Sequence, residues 1–244
     1  MERLPAQAVH LYLADPTALA AEDRVRRYLA QLQPEETERY RRFRFEVHRQ
    51  EYLVTRALVR AVLSRYVARS PEAWRFVRTR EGRPLVAGAG SNPDLRWLSF
   101  NLSNTQGLVA CAVAREREVG VDVEYTSRPA ETLGAAERFL SSLELAHLRS
   151  LPEEARRERF FDYWTLKEAY LKAREEGLSL PLEAFSVLLG DAGPIRLEVS
   201  PPIVDDAASW QLELWSPTPE HRLALCVRRG AGPALEVDVR WMKP

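Results

Sequence analysis

Two carboxylates lie two residues apart in the segment VGVDVEY, residues 119–125. A strand places residues two apart on the same face, so Asp122 and Glu124 point one way and Val121 and Val123 the other. Adjacent carboxylates repel each other, and burial would raise their pKa values unless a cation lay between them. The pair therefore predicts a cation-binding strand, with an exposed strand face of solvated acids as the alternative.

A third carboxylate lies within the aromatic helical run FFDYWTLKEAYLK. With a period of about 3.6 residues per turn, Glu168 falls on the same stripe as Phe161, Trp164 and Leu171. A carboxylate in the middle of an apolar stripe is costly unless it is paired. Lys172 follows one turn later, and an ordinary Glu–Lys helix pair explains those two residues but not their aromatic setting.

Two upstream segments offer groups that bind phosphate. Ser103, Asn104 and Thr105 follow an apolar strand, and such a turn can present backbone N–H and side-chain donors. Arg83 and Pro84 follow Gly82 in a second turn that presents the arginine, although each segment is equally well explained as an ordinary turn. Three carboxylates and a lysine together suit a Mg²⁺–pyrophosphate site, because Mg²⁺ binds carboxylates plus substrate phosphates and lysine places a point charge on phosphate.

Composition restricts the partners of this chemistry. The 244 residues carry a formal net charge of zero, so no bulk field draws the protein to nucleic acid or to a membrane. The apolar runs are far shorter than the roughly 18 residues of a membrane span. The first residues lack a secretory signal, and Cys111 and Cys226 have no metal-ligand spacing, which predicts buried, reduced thiols in a cytoplasmic protein.

The elements that must position these residues occur twice. In the first half, a helix is predicted for QEYLVTRALVRAVLSRY, and it is followed by a strand and turn and later by the strand LVACAVAR. The second half shows the same order: a helix is predicted for FFDYWTLKEAYLKAREEG, and it is followed by a strand and turn and later by the strand LALCVRR. The second helix is apolar around much of its circumference, so we expect it to be buried between layers and to end at Gly177. The repeat predicts an α+β fold of two similar halves, residues 1–117 and 118–244.

These motifs together resemble the 4'-phosphopantetheinyl transferase superfamily, Sfp type. The family pattern G-[IV]-D-[IV]-E is similar to GVDVE ending at Glu124, and W-[TS]-x-K-E-[AS]-x-x-K is similar to WTLKEAYLK ending at Lys172. The pattern G-[KR]-P resembles GRP ending at Pro84, and F-N-x-S-H-[ST] resembles FNLSNT ending at Thr105. Order and spacing agree, and GLSLPL beginning at Gly177 also resembles a family segment.

The resemblance implies a pseudo-twofold fold with the active site and coenzyme A in the cleft between the halves. It implies that Asp122, Glu124 and Glu168 bind Mg²⁺ and that Glu168 is also the general base. It further implies that Lys172 is a catalytic residue that contacts the pyrophosphate. The implied coenzyme A contacts are Arg49 at the 3'-phosphate, Arg83 and Pro84 on the adenine side, Ser103, Asn104 and Thr105 at the phosphates, and Asp122 and Lys172.

The implied reaction is the Mg²⁺-dependent transfer of the phosphopantetheine arm of coenzyme A, the co-substrate, to a serine of an apo acyl carrier or peptidyl carrier protein, with release of 3',5'-ADP. We expect a cytoplasmic monomer that acts in polyketide, nonribosomal peptide or fatty-acid synthesis, without nucleic-acid or membrane partners. Two departures, Asn104 for the usual histidine and His48 for a frequent aspartate, affect the phosphate contacts and leave the metal site intact.

Two alternatives belong to other classes. A binding module would hold coenzyme A or the carrier without turnover, and Asn104 is its only support. A Mg²⁺-dependent hydrolase would release 3',5'-ADP from coenzyme A without any carrier. For the carrier itself, we expect part of Thr126–Leu140, with apolar Leu133, Phe139 and Leu140, to dock its serine-bearing helix; internal packing of this stretch is the alternative.

Overall fold

The fold was analysed in a computed structural model of the chain. It describes residues 1–19, 21–80, 82–127, 136–174, 180–190 and 193–243. Within these residues no helix is both long enough and apolar enough to cross a membrane. Gly177, the predicted end of the second long helix, lies outside the described residues.

Helices and strands alternate along the chain. The helices are α1 (Glu22–Gln31), α2 (Pro34–Arg42), α3 (Glu46–Tyr66), α4 (Pro93–Arg96), α5 (Ala136–Phe139), α6 (Ser142–Ser150) and α7 (Glu153–Arg174). The strands are β1 (Ala8–Ala14), β2 (Phe76–Arg78), β3 (Pro84–Val86), β4 (Leu98–Thr105), β5 (Leu108–Arg115), β6 (Val119–Tyr125), β7 (Phe185–Leu188), β8 (Arg196–Val199), β9 (Trp210–Trp215), β10 (His221–Arg228) and β11 (Glu236–Trp241). They form two compact units, Met1–Glu116 with Glu236–Pro244, and Arg117–Leu235.

The first unit packs α3 on a four-stranded sheet of order β11-β1-β5-β4. Leu53, Val59, Val62 and Leu63 of α3 are buried at the three- and four-residue spacing of an amphipathic helix. Strand β5 is buried over all but its last residue, as expected for a central strand covered by a helix. Strands β2 and β3 form a separate hairpin.

The second unit packs α7 on a three-stranded antiparallel sheet of order β6-β10-β9. Phe160, Phe161, Tyr163 and Tyr170 of α7 are all buried, because residues on most of its circumference contact the sheet or neighbouring segments. The predicted burial of this helix is therefore confirmed. Strands β7 and β8 form the hairpin that follows it.

Both units run through the same order: a long helix, a hairpin and then an antiparallel pair of strands, β4–β5 in one and β9–β10 in the other. The predicted α+β fold of two similar halves is confirmed. Cys111 on β5 and Cys226 on β10 are free and fully buried, and this burial raises the pKa of each thiol.

The end of the chain differs from the predicted division at residues 117 and 118. Strand β11 pairs in parallel with β1, from Ala8 opposite Glu236 onward, so the last residues belong to the first unit. Arg240 on β11 contributes to this pairing, since its guanidinium forms an ion pair with Glu2 and donates to the Tyr12 hydroxyl at 3.0 Å. These contacts join segments more than two hundred residues apart, and local sequence patterns carry no signal for them.

Candidate active site

Strand β6 and helix α7 lie in direct backbone contact at Gly120. A Cβ atom at this residue would lie 2.1 Å from the carbonyl oxygen of Ala169 and 2.4 Å from the backbone nitrogen of Ala173. Only glycine permits such an approach. The glycine of the motif thus sets the distance between the acidic strand and the helix that carries Glu168 and Lys172.

Asp122 lies on the same strand face as Gly120 and turns toward α7. Its side chain accepts a hydrogen bond from Lys172 Nζ at 2.6 Å, and the same ammonium donates to the Val121 carbonyl at 3.2 Å. Asp122 is only 4% exposed, so the predicted alternative of a solvated acidic face is wrong. A buried carboxylate paired with a half-buried lysine fits the expected neighbourhood of a phosphate substrate.

Glu124 follows on the same face and accepts a hydrogen bond from Trp164 Nε1 at 2.8 Å. It is 8% exposed. The Trp164 indole packs edge-on against the Phe139 ring at 4.8 Å between centroids, so the aromatic stripe of α7 orients this acid. Phe139 and the buried Leu140 favour internal packing for that end of Thr126–Leu140, whereas Leu133 lies outside the described residues.

The surroundings of Glu168 shift the pKa of its carboxyl group. Burial, followed by the negative charge of Asp122, raises the pKa of Glu168 to about 7; Glu124 raises it further and Lys172 opposes the rise. The three predicted acids are thus electrostatically coupled. A carboxyl group with a pKa near neutrality is suited to accepting a proton in catalysis.

The acids do not form a ready-made metal cage. Among the described residues, no group of three or more His, Cys, Asp or Glu side chains is arranged to hold a metal ion, so the predicted trio of Asp122, Glu124 and Glu168 is not a preformed site. The chemistry of the donors nevertheless fits Mg²⁺, which prefers carboxylate oxygens and completes its shell with water and substrate phosphates. Asp122 and Glu124 raise the pKa of Glu168, and a dication beside these carboxylates would offset that repulsion.

A buried ion pair holds α7 against α6 and β7. Lys167 Nζ donates to Glu144 at 2.8 Å and to the Phe185 carbonyl at 2.6 Å, and the two charged side chains are 0% and 1% exposed. Glu144 also closes the capping box of α6 with Ser141. The sequence S-x-x-E signals the cap, but nothing local identifies Lys167 as its partner.

A second anchor lies at the end of α7. Asp205 accepts hydrogen bonds from the Tyr170 hydroxyl at 2.7 Å, from Arg174 Nη1 at 2.6 Å and from Trp210 Nε1 at 2.8 Å. Burial alone would raise the pKa of Asp205, but these three donors outweigh it and lower that pKa to about 2. Tyr170 and Arg174 flank Lys172 on the helix, so Asp205 fixes the turn that presents this lysine.

The first unit contains a cavity of about 450 Å³ beside α2, α3 and the β2–β3 hairpin. Arg39, Arg56 and Arg78 line it together with the Tyr52 ring and the predicted coenzyme A contact Pro84. Burial lowers the pKa of Arg56 to about 10, so its guanidinium remains charged at neutral pH. These arginines lie on three separate elements, so no local sequence pattern identifies them as a group.

The other predicted contacts of this unit are placed as follows. Arg83 Nη2 donates to the Phe100 carbonyl at 3.1 Å, and Gly82 has a φ of 89°, a left-handed conformation that favours glycine in this turn. Arg49 Nε donates to the Phe43 carbonyl at 3.0 Å, and Arg49 forms an ion pair with Glu46. Arg49 therefore orders the start of α3 and is not among the residues that line the cavity.

Ser103, Asn104 and Thr105 do not form a turn, contrary to the prediction. They are the last residues of β4, and the turn of the hairpin falls on Gln106 and Gly107. Strand alternation buries Ser103 and Thr105 and exposes Asn104, so the three side chains do not share one face. The β-pairing with β5 extended further than the small polar residues indicated.

Comparison with known proteins supplies a family context. Residues 118–226 match the 4'-phosphopantetheinyl transferase superfamily, and residues 20–116 match "4'-phosphopantetheinyl transferase, N-terminal". The chain is 36% identical to 4'-phosphopantetheinyl transferase HetI of Nostoc sp. over 172 residues, 70% of this chain and 71% of that protein. It is 30% identical to 4'-phosphopantetheinyl transferase Sfp of Bacillus subtilis over 200 residues, 82% and 84% of the two chains.

Among solved structures, the chain is similar to a holo-(acyl-carrier-protein) synthase from Bacillus anthracis in complex with CoA (3',5'-ADP). The identity is 22% and the TM-score 0.39, over 47% of this chain and 96% of that one.

Proposed function

The chain belongs to the 4'-phosphopantetheinyl transferase superfamily, and we propose that it transfers the phosphopantetheine arm of coenzyme A to a serine of an apo acyl or peptidyl carrier protein. The observation that carries the proposal is the coupled cluster in the second unit. There Lys172 lies 2.6 Å from Asp122, and Glu168 has a pKa of about 7. The two closely related transferases support the same reaction.

The reaction is a phosphoryl transfer. The serine hydroxyl of the carrier attacks the β-phosphorus of coenzyme A, a new P–O bond forms, and the pyrophosphate bond breaks to release 3',5'-ADP. Glu168 accepts the hydroxyl proton, since a base with a pKa near neutrality is ionised in part of the population and still basic enough to take it. Lys172 offsets the negative charge that develops on the pyrophosphate oxygens.

We propose that Asp122 and Glu124, with Glu168, hold Mg²⁺. When bound, the ion supplies Lewis-acid stabilisation of the phosphate charges. The chain's own contribution is to hold the acids in place: Trp164 fixes Glu124 and Gly120 fixes the distance from β6 to α7.

We further propose that the cavity of the first unit binds the 3'-phosphoadenosine end of coenzyme A. Arg39, Arg56 and Arg78 supply positive charge, and arginine suits phosphate because its planar fork donates two parallel hydrogen bonds. Tyr52 supplies a ring beside them, and Pro84, for which the resemblance implied an adenine-side contact, borders the same space. This assigns to Arg39 the phosphate role that the resemblance implied for Arg49.

Peptidyl, polyketide and fatty-acid carriers remain the proposed acceptors, and we propose that the protein acts on them as a cytoplasmic monomer. The loading experiment includes carriers of all three classes.

Intact-mass spectrometry of several apo carriers incubated with the protein, coenzyme A and Mg²⁺ tests the proposal. We expect the mass of one phosphopantetheine arm to be added to a carrier, and the Glu168→Gln variant to lose this activity. Release of 3',5'-ADP from coenzyme A alone would instead identify a hydrolase. Carrier binding without any mass gain would identify a binding module.

A further inference from the structure

We propose that Asp162 is a positioning residue: together with Glu158 it holds the Arg222 guanidinium away from Glu124, so that the Glu124 carboxylate stays accessible to a cation. This inference rests on the proposed function. It concerns the face of the β6–β10 pair that carries Glu124 and lies against α7.

Arg222 and Glu124 are directly opposite each other in the antiparallel pairing of β10 with β6. Side chains of such a pair lie on the same face of the sheet, with their Cβ atoms about 4.5–5.5 Å apart. Arg222 is 7% exposed and Glu124 is 8% exposed, so water screens neither charge strongly. An arginine at this position is long enough to form an ion pair with the acid on the neighbouring strand.

The other end of the same strand pair contains such an ion pair. The Arg228 N–H donates to the Glu118 carbonyl oxygen at 3.0 Å, so these two residues extend the ladder beyond β6. Their side chains form an ion pair across the strands through Arg228 Nε. Glu118 and Glu124 are six residues apart and therefore lie on the same face. Pairing of arginine with the opposite glutamate is thus compatible with the geometry of this face.

Arg222 departs from this pattern because two acids of α7 bind it. Its Nε donates to Asp162 Oδ1 at 2.8 Å, and its Nη2 forms an ion pair with Glu158, one turn earlier on the helix. Its Nη1 donates to the His221 carbonyl oxygen at 3.3 Å. Each guanidinium nitrogen therefore has an acceptor, and both ion pairs are with α7.

Asp162 contributes more to this arrangement than Glu158. Asp162 is 9% exposed, whereas the Glu158 side chain is 68% exposed, and a buried ion pair is screened less than an exposed one. Arg159 Nε lies 3.6 Å from the second oxygen of Asp162, so both oxygens of this carboxylate face a cation. Asp162 is therefore fixed in the orientation that binds Arg222.

The consequence for Glu124 follows from the kind of donor that it contacts. Trp164, two residues after Asp162, donates to Glu124 at 2.8 Å and orients it without adding charge. A guanidinium on the same carboxylate would offset its negative charge and repel a dication. If Arg222 were released onto Glu124, only a fraction of the population would bind Mg²⁺ there, and the apparent affinity would fall by that fraction.

The test compares the wild type with Glu158→Gln/Asp162→Asn, which removes both negative charges at nearly constant side-chain shape, and with a triple variant that adds Arg222→Met. The probe is the indole N–H signal of Trp164 in ¹H–¹⁵N NMR spectra, identified by its loss in Trp164→Phe. The signal is recorded without metal and then during a Mg²⁺ titration, with coenzyme A present and no carrier.

We expect the double variant to shift the metal-free Trp164 signal and to raise the Mg²⁺ concentration at half-saturation about tenfold, since Arg222 would then pair with Glu124. The triple variant should return both quantities toward their wild-type values, because no guanidinium remains opposite Glu124. In loading assays at saturating Mg²⁺, the double variant should have a kcat close to that of the wild type, as expected for a change in metal access.

Two variants control for changes of charge elsewhere. Glu118→Gln removes the acid from the ion pair at the other end of the strand pair, and Arg149→Glu reverses a charge at an exposed residue of α6. Both should keep the Mg²⁺ concentration at half-saturation within about twofold of the wild type. Circular dichroism checks folding, and Asp162→Asn alone takes the place of the double variant if the latter unfolds.

If the triple variant is as impaired as the double variant, the ion pairs of Arg222 only join β10 to α7, and the positioning role of Asp162 is wrong. An unshifted Trp164 signal or an unchanged half-saturation in the folded double variant would also overturn it. A wild type that loads no carrier would overturn the proposed function alone, since the metal-free Trp164 signal still reports whether Arg222 is released onto Glu124.

Discussion

The two units share a buried ion pair at corresponding positions. In the first unit, Glu36 accepts from Arg60, and in the second, Glu144 accepts from Lys167, with partners 24 and 23 residues apart. Each glutamate also closes the capping box of the helix before the long helix, α2 in one unit and α6 in the other. The same device therefore joins two helices in both units.

The correspondence extends to the hairpins. The Arg60 guanidinium lies over the Phe76 ring at 5.0 Å, and Lys167 Nζ lies over the Phe185 ring at 4.1 Å. Phe76 begins β2 and Phe185 begins β7. Each ion pair thus ties the long helix to the hairpin that follows it, and its presence in both units indicates a structural role.

The residues that follow along the two helices differ. Lys167 is followed by Glu168, whereas Arg60 is followed by Ala61. Five residues after each buried cation, Lys172 contacts Asp122 on β6, whereas Arg65 contacts Glu2. The comparison indicates that the shared ion pair holds the fold, and it agrees with our proposal that the acids of the second unit perform the chemistry.

The largest expected effect comes from removing the acids that the first unit lacks. Glu168→Gln should lower carrier loading by a factor of about 10² to 10⁴, the contribution of a general base. Asp122→Asn should also lower it strongly, because Lys172 would lose its charged partner. Circular dichroism should show both variants folded. Loading by Glu168→Gln close to the wild-type rate would remove the distinction between the two units.

Removing the cation of a shared ion pair should lower the stability of the fold, whereas removing Glu168 should lower activity and leave the protein folded. Lys167→Met leaves Glu144 buried without its cation and should destabilise the second unit by about 3–5 kcal/mol. Arg60→Met should destabilise the first unit by less, because the Arg56 guanidinium still lies 3.9 Å from Glu36. Urea unfolding followed by fluorescence would measure this loss. A stable Lys167→Met protein that is inactive would contradict the structural role and move Lys167 into the active site.

A smaller but more local change tests the contact of β6 with α7. Gly120→Ala places a methyl group 2.1 Å from the Ala169 carbonyl, so strand and helix must separate. Overpacking of this kind destabilises by about 1–3 kcal/mol, and the displaced acids should also lower loading. Gly90→Ala is the matched control, because a Cβ there meets nothing within 4 Å. Equal melting temperatures for both variants would contradict the close packing.

The smallest expected effect is a pH dependence at Asp205. Its pKa of about 2 in the folded protein lies below the ordinary value of 3.8, so its ionised form stabilises the fold above about pH 4, and this contribution disappears as pH falls toward 2. It amounts to about 2 kcal/mol at neutral pH. Asp205→Asn should unfold more easily at pH 7 and lose less stability on acidification, as thermal melts across this range would show. Parallel pH profiles would contradict the Asp205 anchor.

How much of this the sequence predicted depends on the range of the interaction. Asp122 and Glu124 share a face, and Glu168 and Lys172 share a helix stripe, because strand and helix periods are local properties. The turn assigned to Ser103–Thr105 was wrong, since pairing with β5 overrode local turn preference. A pattern of small polar residues cannot report how far a ladder of hydrogen bonds extends.

Contacts between segments that are far apart in the sequence were not predicted. Glu144 pairs with Lys167, which is 23 residues away, and this role of Lys167 follows only from the packing of α7 on α6. Likewise β11 pairs with β1, and the arginines of the cavity come from separate elements. The acids of the candidate site were predictable because they lie in short motifs, and so was the repeated order of elements, whereas the long-range contacts that hold these elements together were not.

The most direct test of the account is the intact mass of an apo carrier protein after incubation with coenzyme A, Mg²⁺ and either the wild type, Glu168→Gln or Arg149→Glu. The account predicts one added phosphopantetheine arm per carrier with the wild type and Arg149→Glu, and an unmodified carrier with Glu168→Gln over the same time. An unmodified carrier with the wild type, or an equal mass gain with Glu168→Gln, would contradict it.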